Sequence, residues 1–418
     1  MKRIGKQFRN LLPRLFALIA FAFLATQVET KAAEPIKIGF GVSLTGGLAP
    51  SGKAHLLAIQ IWAEEINAKG GLLGRPVQII YYDDQTNPAN VPGIYAKLID
   101  VDKVDLLVGH ATNLIVAAMP IIIDKKKLVM SLLAYASNAQ LKYPRYFMSA
   151  PWGNDYAEIS KNFFEVASTV QPRPKTVALV GADAEFSNNV LTGARAIASK
   201  YNLKIVYDRL YPPSTVDFTP IVRSIAAAKP DIVLVASYPV DSIGMVRAAI
   251  ETGLKVSLFG GAMVGMQYAS FMGQLSDKLN GLVNYHFYVP APTLKFPGIE
   301  GFLAKYQARA SGSGTDPLGF YQPPFTYAAM QVLEQAITAT NSINNDLLAK
   351  HIHENEFQTI VGKIRFDEYG EWVKPRLLMV QFQNVQGAGL EQYLTGGRQI
   401  VVYPPEYRSG DLKYPFSK

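Results

Sequence analysis

Residues 66–88 read Ile66-Asn-Ala-Lys-Gly-Gly-Leu-Leu-Gly-Arg-Pro-Val-Gln-Ile-Ile-Tyr-Tyr-Asp-Asp-Gln-Thr-Asn-Pro88 and hold more structural information than any other stretch of this chain. Gly70 and Gly71 end a predicted helix, because glycine readily takes the left-handed conformation found at helix ends. A turn follows at Gly74-Arg75-Pro76. Val77–Tyr82 is a β-branched and aromatic run typical of a strand. Helix, turn and strand in this order predict an α/β fold.

The same alternation continues on both sides of this stretch. Strands that alternate with helices of about 10–15 residues indicate parallel sheets with right-handed crossovers. A proline at Ala150-Pro151 divides the strands into two series, which predicts two doubly wound α/β lobes. The predicted strands are Ile36–Val42, Val77–Tyr82, Val104–Val108, Leu128–Leu132, Tyr146–Met148, Thr176–Val180, Leu203–Asp208, Ile232–Ala236 and Val256–Phe259. The predicted helices between them are Lys53–Ala68, Asn90–Val101, Ile115–Lys125, Asn188–Tyr201, Phe218–Ala228 and Ser242–Glu251.

Residues 1–33 have the pattern of a secretory signal peptide, with a basic front, the apolar run Leu15–Ala25 and small residues at Ala32-Ala33. The run has 11 residues, whereas a membrane-spanning helix needs about 20. Six Lys/Arg and one Glu fall in this segment, so it carries +5 of the net charge of +8. The remaining +3 is too small to indicate a nucleic-acid-binding protein. We therefore predict cleavage of residues 1–33 and a periplasmic location.

The 418-residue chain is long enough for two domains and contains no cysteine. Disulfides and lipidation at a cysteine are therefore excluded. No stretch after residue 33 is apolar enough to predict a membrane span. The sequence indicates a freely soluble exported protein, with no cofactor and no metal expected.

Motifs for catalysis and nucleotide binding are incomplete in this chain. Gly47–Ala54 resembles a phosphate-binding loop, but Ala54 stands where the magnesium-binding Ser or Thr is required. We interpret this glycine-rich helix start as a site for another anion, such as a carboxylate. There is no nucleophile elbow and no zinc-binding helix motif. The protein is thus predicted not to be an enzyme.

Polar and aromatic residues gather where the predicted strands end. Ligands in open α/β sheets bind at the carboxyl ends of the strands, so these residues are candidates for a mostly apolar pocket. Asp241 is in the same region, but we expect it to cap the following helix. The candidate residues are His110, Asn113, Tyr135, Ser137, Trp152, Phe186, Tyr238, Ala262 and Met263.

The chain resembles the leucine/isoleucine/valine-binding family of type I periplasmic solute-binding proteins, which serve ABC importers. The likeness rests on Gly39–Gly46, residues 66–88, Gly109-His110, Val180-Gly181 and Phe366–Gly370, and it covers essentially the whole chain after residue 33. It implies two lobes joined by a three-segment hinge. The implied bounds are 34–150 plus 286–362 for lobe 1, and 151–285 plus 363–418 for lobe 2.

The resemblance also implies roles for individual residues. Family members that bind amino acids hold the carboxylate with two hydroxyls, which here correspond to Asn113 and Ser137. The tyrosine that helps to hold the ammonium corresponds to Tyr238, and the acid that accompanies it corresponds to Ala262. A lobe-two aromatic is kept as Phe186, whereas a first-loop aromatic is replaced by Ser51.

The missing acid at Ala262 decides the expected ligand. Burying an ammonium group without a countercharge costs several kcal/mol. Unless Asp183, Glu185 or Asp241 substitutes, the ligand is expected to be an aromatic or aliphatic carboxylate or an amide, captured for an ABC permease by a monomeric receptor. The alternatives left open are a sensing module for a receptor, an amino-acid receptor with a rewired ammonium site, and an enzyme such as an amidase.

Overall fold

The computed structural model describes residues 33–416. The predicted signal peptide falls on residues that, apart from Ala33, lie outside this range. No helix within the described range is both long and apolar enough to cross a membrane.

The first lobe is built on a five-stranded parallel sheet with the strand order β2-β1-β3-β4-β5. Its strands are β1 (Ile36–Val42), β2 (Val77–Asp83), β3 (Leu106–Gly109), β4 (Val129–Ser131) and β5 (Tyr146–Met148). The connecting helices are α1 (Ala49–Ala68), α2 (Val91–Asp100), α3 (Thr112–Asp124) and the short α4 (Asn138–Leu141). Strands β1, β3, β4 and β5 are largely buried apolar runs, as expected for a parallel sheet covered on both faces.

The second lobe is built on a seven-stranded sheet with the order β14-β13-β10-β9-β8-β6-β7. The strands β6 (Thr176–Ala182), β7 (Lys204–Tyr211), β8 (Ile232–Ser237), β9 (Leu258–Met263) and β10 (Val283–His286) are parallel. At one edge, β13 (Leu378–Phe382) and β14 (Gln399–Tyr403) are antiparallel. Its helices are α5 (Glu158–Ser168), α6 (Glu185–Ile197), α7 (Thr219–Ala227), α8 (Pro239–Glu251) and α9 (Ala269–Leu275).

The chain returns to the first lobe after β10. It forms α10 (Ile299–Ala310), α11 (Pro323–Thr340), α12 (Asn345–Glu354) and the hairpin β11 (Glu356–Thr359) and β12 (Gly362–Arg365). Helix α11 packs on α1, where the Trp62 indole donates to the Glu334 carboxylate at 3.0 Å and the Tyr327 hydroxyl donates to Glu65 at 2.5 Å. The chain thus passes between the lobes after β5, after β10 and after β12.

These observations confirm the predicted fold class, two α/β lobes with mainly parallel sheets. The sequence suggests purely parallel sheets, but the second-lobe sheet ends in the antiparallel strands β13 and β14. Helix α5 was not predicted, and α1 begins at Ala49 instead of Lys53. Gly52 makes this early start possible, because a Cβ at this position would lie 1.9 Å from the Ser43 carbonyl oxygen. The residue bounds predicted for the two lobes stay a prediction.

Candidate ligand-binding site between the lobes

A small cavity lies where the carboxyl ends of the two sheets face each other. It has a volume of about 30 Å³, enough for a water molecule or two but not for an amino acid. Both lobes and the crossing segments supply its walls. The lining residues are Leu48, Ser51, Ala111, Thr112, Asn113, Leu133, Trp152, Phe186, Tyr238, Val264, Tyr268, Tyr285, Tyr321 and Gln322.

Aromatic rings form most of the cavity. Trp152 is the central member, with its ring centroid 6.2 Å from that of Phe186, 6.2 Å from that of Tyr285 and 4.9 Å from that of Tyr135. The Phe186 ring also contacts Tyr238 edge to face at 6.1 Å. Trp152 lies between β5 and α5, on the segment where the chain first crosses between the lobes (the first crossing). It therefore connects rings of both lobes. Such a cluster provides flat apolar surfaces for a planar ligand.

A hydrogen-bonded chain of three buried residues forms the polar wall. The Ser51 hydroxyl lies 2.7 Å from His110 Nε2 and 2.7 Å from the Gln322 side-chain oxygen. Because the hydroxyl has one proton and donates it to Gln322, His110 Nε2 must be the donor to Ser51. The Gln322 amide nitrogen is then left free to donate into the cavity.

Burial keeps the histidines of this wall neutral. Desolvation lowers the pKa of His110 to about 4. It also holds the pKa of His55 well below its ordinary value, with the nearby His110 as a second cause. The two imidazole rings lie 5.2 Å apart, and His55 Nδ1 bonds to the Thr326 hydroxyl at 2.9 Å. The polar wall therefore offers neutral hydrogen-bond groups and no cation near pH 7.

Several buried polar atoms of the lining residues have no close hydrogen-bond partner within residues 33–416, although the Tyr268 hydroxyl also interacts with Ser51. They include the Tyr268 hydroxyl, the Trp152 indole nitrogen, the Gln322 amide nitrogen and the Asn113 side-chain oxygen. A buried polar atom without a hydrogen bond costs about 1–3 kcal/mol. Three of these atoms are donors, so an acceptor such as a carboxylate would satisfy them together.

The N-terminus of α3 reaches the same cavity through Ala111, Thr112 and Asn113. The first backbone N–H groups of a helix have no intrahelical acceptor, and no side chain caps them in α3. Helix α1, whose first turn contains Ser51, also lacks a side-chain cap. Helix N-termini favour bound anions through their free N–H groups and the helix dipole.

None of the residues lining this cavity carries a formal charge at neutral pH. One acid, Asp241, lines an adjoining outer cleft of about 310 Å³ that shares Leu48, Asn113 and Tyr238 with the cavity. Burial raises the pKa of Asp241 to about 6, although the Tyr211 hydroxyl, which donates a hydrogen bond to it, partly offsets this effect. Asp241 was predicted to cap a helix; this is wrong, because α8 begins at Pro239 and Asp241 lies within its first turn.

The structure brings together half of the predicted site residues. Ser51, Asn113, Trp152, Phe186 and Tyr238 line the cavity. His110 and Tyr135 lie directly behind it, in contact with Ser51 and Trp152 respectively.

The other three predicted residues, Ser137, Ala262 and Met263, neither line the cavity nor lie directly behind it. The Ser137 hydroxyl faces the Tyr135 carbonyl at 3.5 Å. Ala262 is enclosed within β9, and the Met263 backbone N–H donates to the Asn284 side chain at 2.8 Å. Val264, two residues beyond Ala262, is the residue of this segment that reaches the cavity.

Sequence reasoning missed the contributions of Tyr268, Tyr285, Tyr321 and Gln322. Tyr285 lies on β10, a strand of the second sheet. Its hydroxyl lies 2.5 Å from that of Tyr321. Gln322 immediately precedes the two prolines that begin α11. The two prolines were a sequence signal that could have indicated Gln322. Proline favours the first position of a helix, so the residue before it is fixed at the helix N-terminus.

The fold defines a two-lobed solute receptor, and the cavity between its lobes is the candidate ligand site. The sequence profile of the family described as "Periplasmic binding protein" matches residues 35–386. The chain belongs to this family, and the resemblance seen in the sequence is confirmed. Within residues 33–416 there is no group of three or more His, Asp or Glu residues placed to hold a metal ion.

Individual relatives are distant in sequence but cover most of the chain. A leucine-, isoleucine-, valine-, threonine- and alanine-binding protein of Pseudomonas aeruginosa is 23% identical over 86% of this chain and 92% of its own length. The structure of a branched-chain amino acid transporter substrate-binding protein from Streptococcus pneumoniae, in complex with isoleucine, matches with a TM-score of 0.71, 19% identity, and 84% and 97% coverage of this chain and of that protein. An ABC transporter solute-binding protein from Rhodopseudomonas palustris, in complex with 3,4-dihydroxy benzoic acid, matches with a TM-score of 0.70, 21% identity, and 84% and 94% coverage.

Proposed function

We propose that this protein is the periplasmic substrate-binding protein of an ABC importer of the branched-chain amino acid type, and that it captures a small carboxylate without an α-ammonium group. It is exported by cleavage of residues 1–33, acts as a monomer and delivers its ligand to a permease in the inner membrane. Binding is its whole function, and no reaction takes place in the cleft.

The observation that carries this proposal is the charge of the cavity. Three neutral donors and the N-terminus of α3 are available for a carboxylate, yet no lining side chain provides a countercharge for an ammonium group. An ammonium group buried here would be unpaired, which costs several kcal/mol. A carboxylate avoids this cost because hydrogen bonds stabilise its charged form.

The aromatic lining favours a planar or apolar body on the ligand. Trp152 and Phe186 lie nearly parallel, with an interplanar angle of 30°, and Tyr238 and Tyr285 complete the enclosure. The Rhodopseudomonas palustris protein, crystallised with an aromatic acid, shows that this architecture can accommodate such a molecule. Aromatic acids are therefore the first class to test, and aliphatic acids and amides the second.

Ligand capture requires the lobes to separate, since a cavity of about 30 Å³ cannot admit an aromatic acid in the present arrangement. The lobes touch at the Asn189 amide, which donates to the Tyr135 carbonyl at 3.1 Å. A ligand that contacts Gln322 in one lobe and Phe186 in the other would favour the closed form, because only closure provides both contacts.

An amino acid remains the competing ligand because of Asp241. Its carboxyl group lies in the outer cleft, beside Tyr238. An amino acid could be held only if its ammonium group points out of the inner cavity toward this acid. A sensing role would use the same cleft, and binding data for the permease would separate that role from transport.

The deciding experiment compares each amino acid with its deaminated counterpart. We expect 3-phenylpropionate and benzoate to raise the melting temperature of the mature protein, and phenylalanine and leucine to leave it unchanged. A ligand at one hundred times its dissociation constant stabilises the folded state by about 2.7 kcal/mol, which is easily measured. Stabilisation by the amino acids alone would contradict the proposal.

Paired tyrosine variants locate the binding site. Tyr268→Phe removes the buried hydroxyl of a residue that lines the cavity, and Tyr393→Phe removes a buried hydroxyl in the second lobe away from it. We expect the first variant to bind the acid about tenfold more weakly, the loss typical of a hydrogen bond to a charged group. The second should bind it like the unaltered protein. Equal affinities in both variants would exclude Tyr268 from the site.

A further inference from the structure

A second pocket lies on the crossing segments, away from the interlobe cavity. It has a volume of about 250 Å³ and draws residues from the loop after β10, the start of β12, the third crossing and the turn after β14. Its lining residues are Phe296, Gly362, Lys363, Trp372, Lys374, Pro375, Arg376, Glu406 and Tyr407.

Arg376 is a buried cation without a carboxylate partner. The residue is 9% exposed, and its Nε and one terminal nitrogen are buried without a hydrogen-bond acceptor. The Tyr407 hydroxyl interacts with its guanidinium group, but Arg376 forms no ion pair within residues 33–416, and the pocket's acid, Glu406, is exposed to solvent. Burying a charge without a countercharge is destabilising, so Arg376 is kept in this position against a loss of stability.

Arg145 provides an internal contrast. It is partly buried, with 17% of its side chain exposed, and its guanidinium group pairs with the Asp346 carboxylate. Arg376 is more deeply buried and has no such carboxylate within residues 33–416, so two of its nitrogens are open to an acceptor from outside the described part of the chain.

The surroundings of Arg376 suit an oxyanion. The guanidinium lies 4.3 Å from the centre of the Phe296 ring and 5.5 Å from that of Trp372, and these rings hold it in place by cation–π contact. The Trp372 indole nitrogen is also buried without an acceptor. Lys374 adds an exposed positive charge, whereas Lys363 is already paired with Glu356 at 2.7 Å.

Gly362 keeps the pocket open on the guanidinium side. Its φ is +89°, and a Cβ there would lie 3.3 Å from an Arg376 nitrogen and 3.2 Å from the Phe296 ring. A side chain at this position would crowd the fork of the arginine. Glycine therefore serves both the strained turn and the access of a ligand.

We propose that the pocket around Arg376 is a second binding site, which takes a small oxyanion such as phosphate or a carboxylate on the Arg376 fork and the Trp372 indole N–H. The planar fork can bind two oxygens at once. Arg376 lies on the third crossing, and its backbone N–H donates to the Pro151 carbonyl of the first crossing at 3.0 Å. An anion bound here contacts two crossings and the second lobe, so it couples to the lobe movement that the cleft requires.

The test uses inorganic phosphate as the probe, with sodium chloride at equal ionic strength as the reference. We expect phosphate to raise the melting temperature of the mature protein in a saturable way. Arg376→Met should weaken phosphate binding by about tenfold or more, because the charged donor is lost. It should also raise the melting temperature in chloride, because it removes the unpaired buried charge.

Three further variants make the result specific. Arg145→Met removes a partly buried arginine that is already paired with Asp346, so it should keep the phosphate response. Gln322→Met alters the interlobe cleft and should keep it as well, which separates this site from the proposed function. If Arg376→Met does not fold, Trp372→Phe tests the site by removing the indole N–H alone, and it should weaken binding. An absence of phosphate stabilisation, or an equal response in the Arg376 and Arg145 variants, would overturn the proposal.

Discussion

The two lobes contribute unlike walls to the interlobe cavity. The first-lobe wall consists of the α1 and α3 N-termini and the hydrogen-bonded chain His110, Ser51 and Gln322. The second-lobe wall consists of Phe186, Tyr238, Val264, Tyr268 and Tyr285, which contribute mainly apolar surface together with the Tyr268 hydroxyl. The first wall is fixed by hydrogen bonds within its own lobe, whereas the second meets the ligand only when the lobes close.

This difference separates two tasks that a receptor must perform. Fixed donors determine which end of the ligand is recognised and how it is oriented. Aromatic surface from the other lobe determines how much free energy closure gains, since apolar burial is worth about 25 cal/mol per Å². A ligand that satisfies only one wall should bind without holding the lobes together.

The largest expected effect concerns the residue that joins the two walls. Trp152 is 1% exposed and contacts Tyr135 of the first lobe and Phe186 of the second. We expect Trp152→Ala to lower the free energy of unfolding by about 3–5 kcal/mol, the usual cost of emptying a buried aromatic position. Urea denaturation of the ligand-free protein measures this loss.

Phe186→Ala is the matched comparison for Trp152→Ala. Phe186 lies at the start of α6, on the lip of the second lobe, and separation of the lobes exposes its ring. Its truncation should therefore cost clearly less unfolding free energy, while it weakens ligand binding. Equal stability losses in both variants would show that the walls are not energetically distinct.

The strands were largely predictable because their apolar runs are interrupted by turn residues, as at Gly74-Arg75-Pro76. Helix α5 was missed because Glu158–Ser168 follows a loop without a clear helix start, and its N-cap, Ala157, makes no side-chain hydrogen bond. The antiparallel strand β14 was missed because Gln399–Tyr403 pairs with a strand far from the alternating series. Long-range pairing of this kind leaves little trace in local sequence.

A smaller expected effect is the pH dependence of the free energy of unfolding, to which titratable groups on the two sides of the cavity contribute differently. His110 of the first wall is buried, and its pKa falls from 6.5 to about 4, so the unfolded chain binds more protons than the folded protein in this range. Its contribution to stability is complete near pH 7 and is lost as the pH falls from 6.5 toward 4. The loss between pH 7 and pH 5 amounts to about 2 kcal/mol.

Asp241 of the second-lobe side should act in the opposite direction. Burial raises its pKa from 3.8 to about 6, so the folded protein binds more protons and stability falls as the pH rises through this window. Denaturation curves at several pH values should show a flatter acid limb for His110→Gln and a steeper one for Asp241→Asn. Parallel curves for the two variants would show that neither group is perturbed as the structure indicates.

The candidate site was less predictable than the fold. The resemblance located the missing acid at Ala262, but β9 runs to Met263 and encloses that position within the sheet. Val264, the next residue, lines the cavity because it begins the short helical turn after the strand. Ala262 stays a prediction as a ligand contact, because its position two residues before Val264 places it within the strand. Gln322 was missed because it lies on a returning segment that reaches the site only through the tertiary fold.

Val264 provides the most discriminating test of the difference between the walls. Val264→Asp places a carboxylate in the second-lobe wall, and Val264→Asn places a neutral side chain of nearly the same shape there. Both variants share the cost of a polar group at an 8% exposed position, so the difference between them reports the added charge. We expect Val264→Asp to bind a carboxylate about tenfold more weakly than Val264→Asn, a difference of about 1.4 kcal/mol.

Calorimetry measures the affinity of both variants for 3-phenylpropionate and for phenylalanine. In Val264→Asp, 3-phenylpropionate should lose affinity and phenylalanine should gain it, because the introduced aspartate pairs with the ammonium group of the amino acid. If both ligands respond alike, the charge of the second-lobe wall does not select the ligand, and the donors of the first-lobe wall alone must do so.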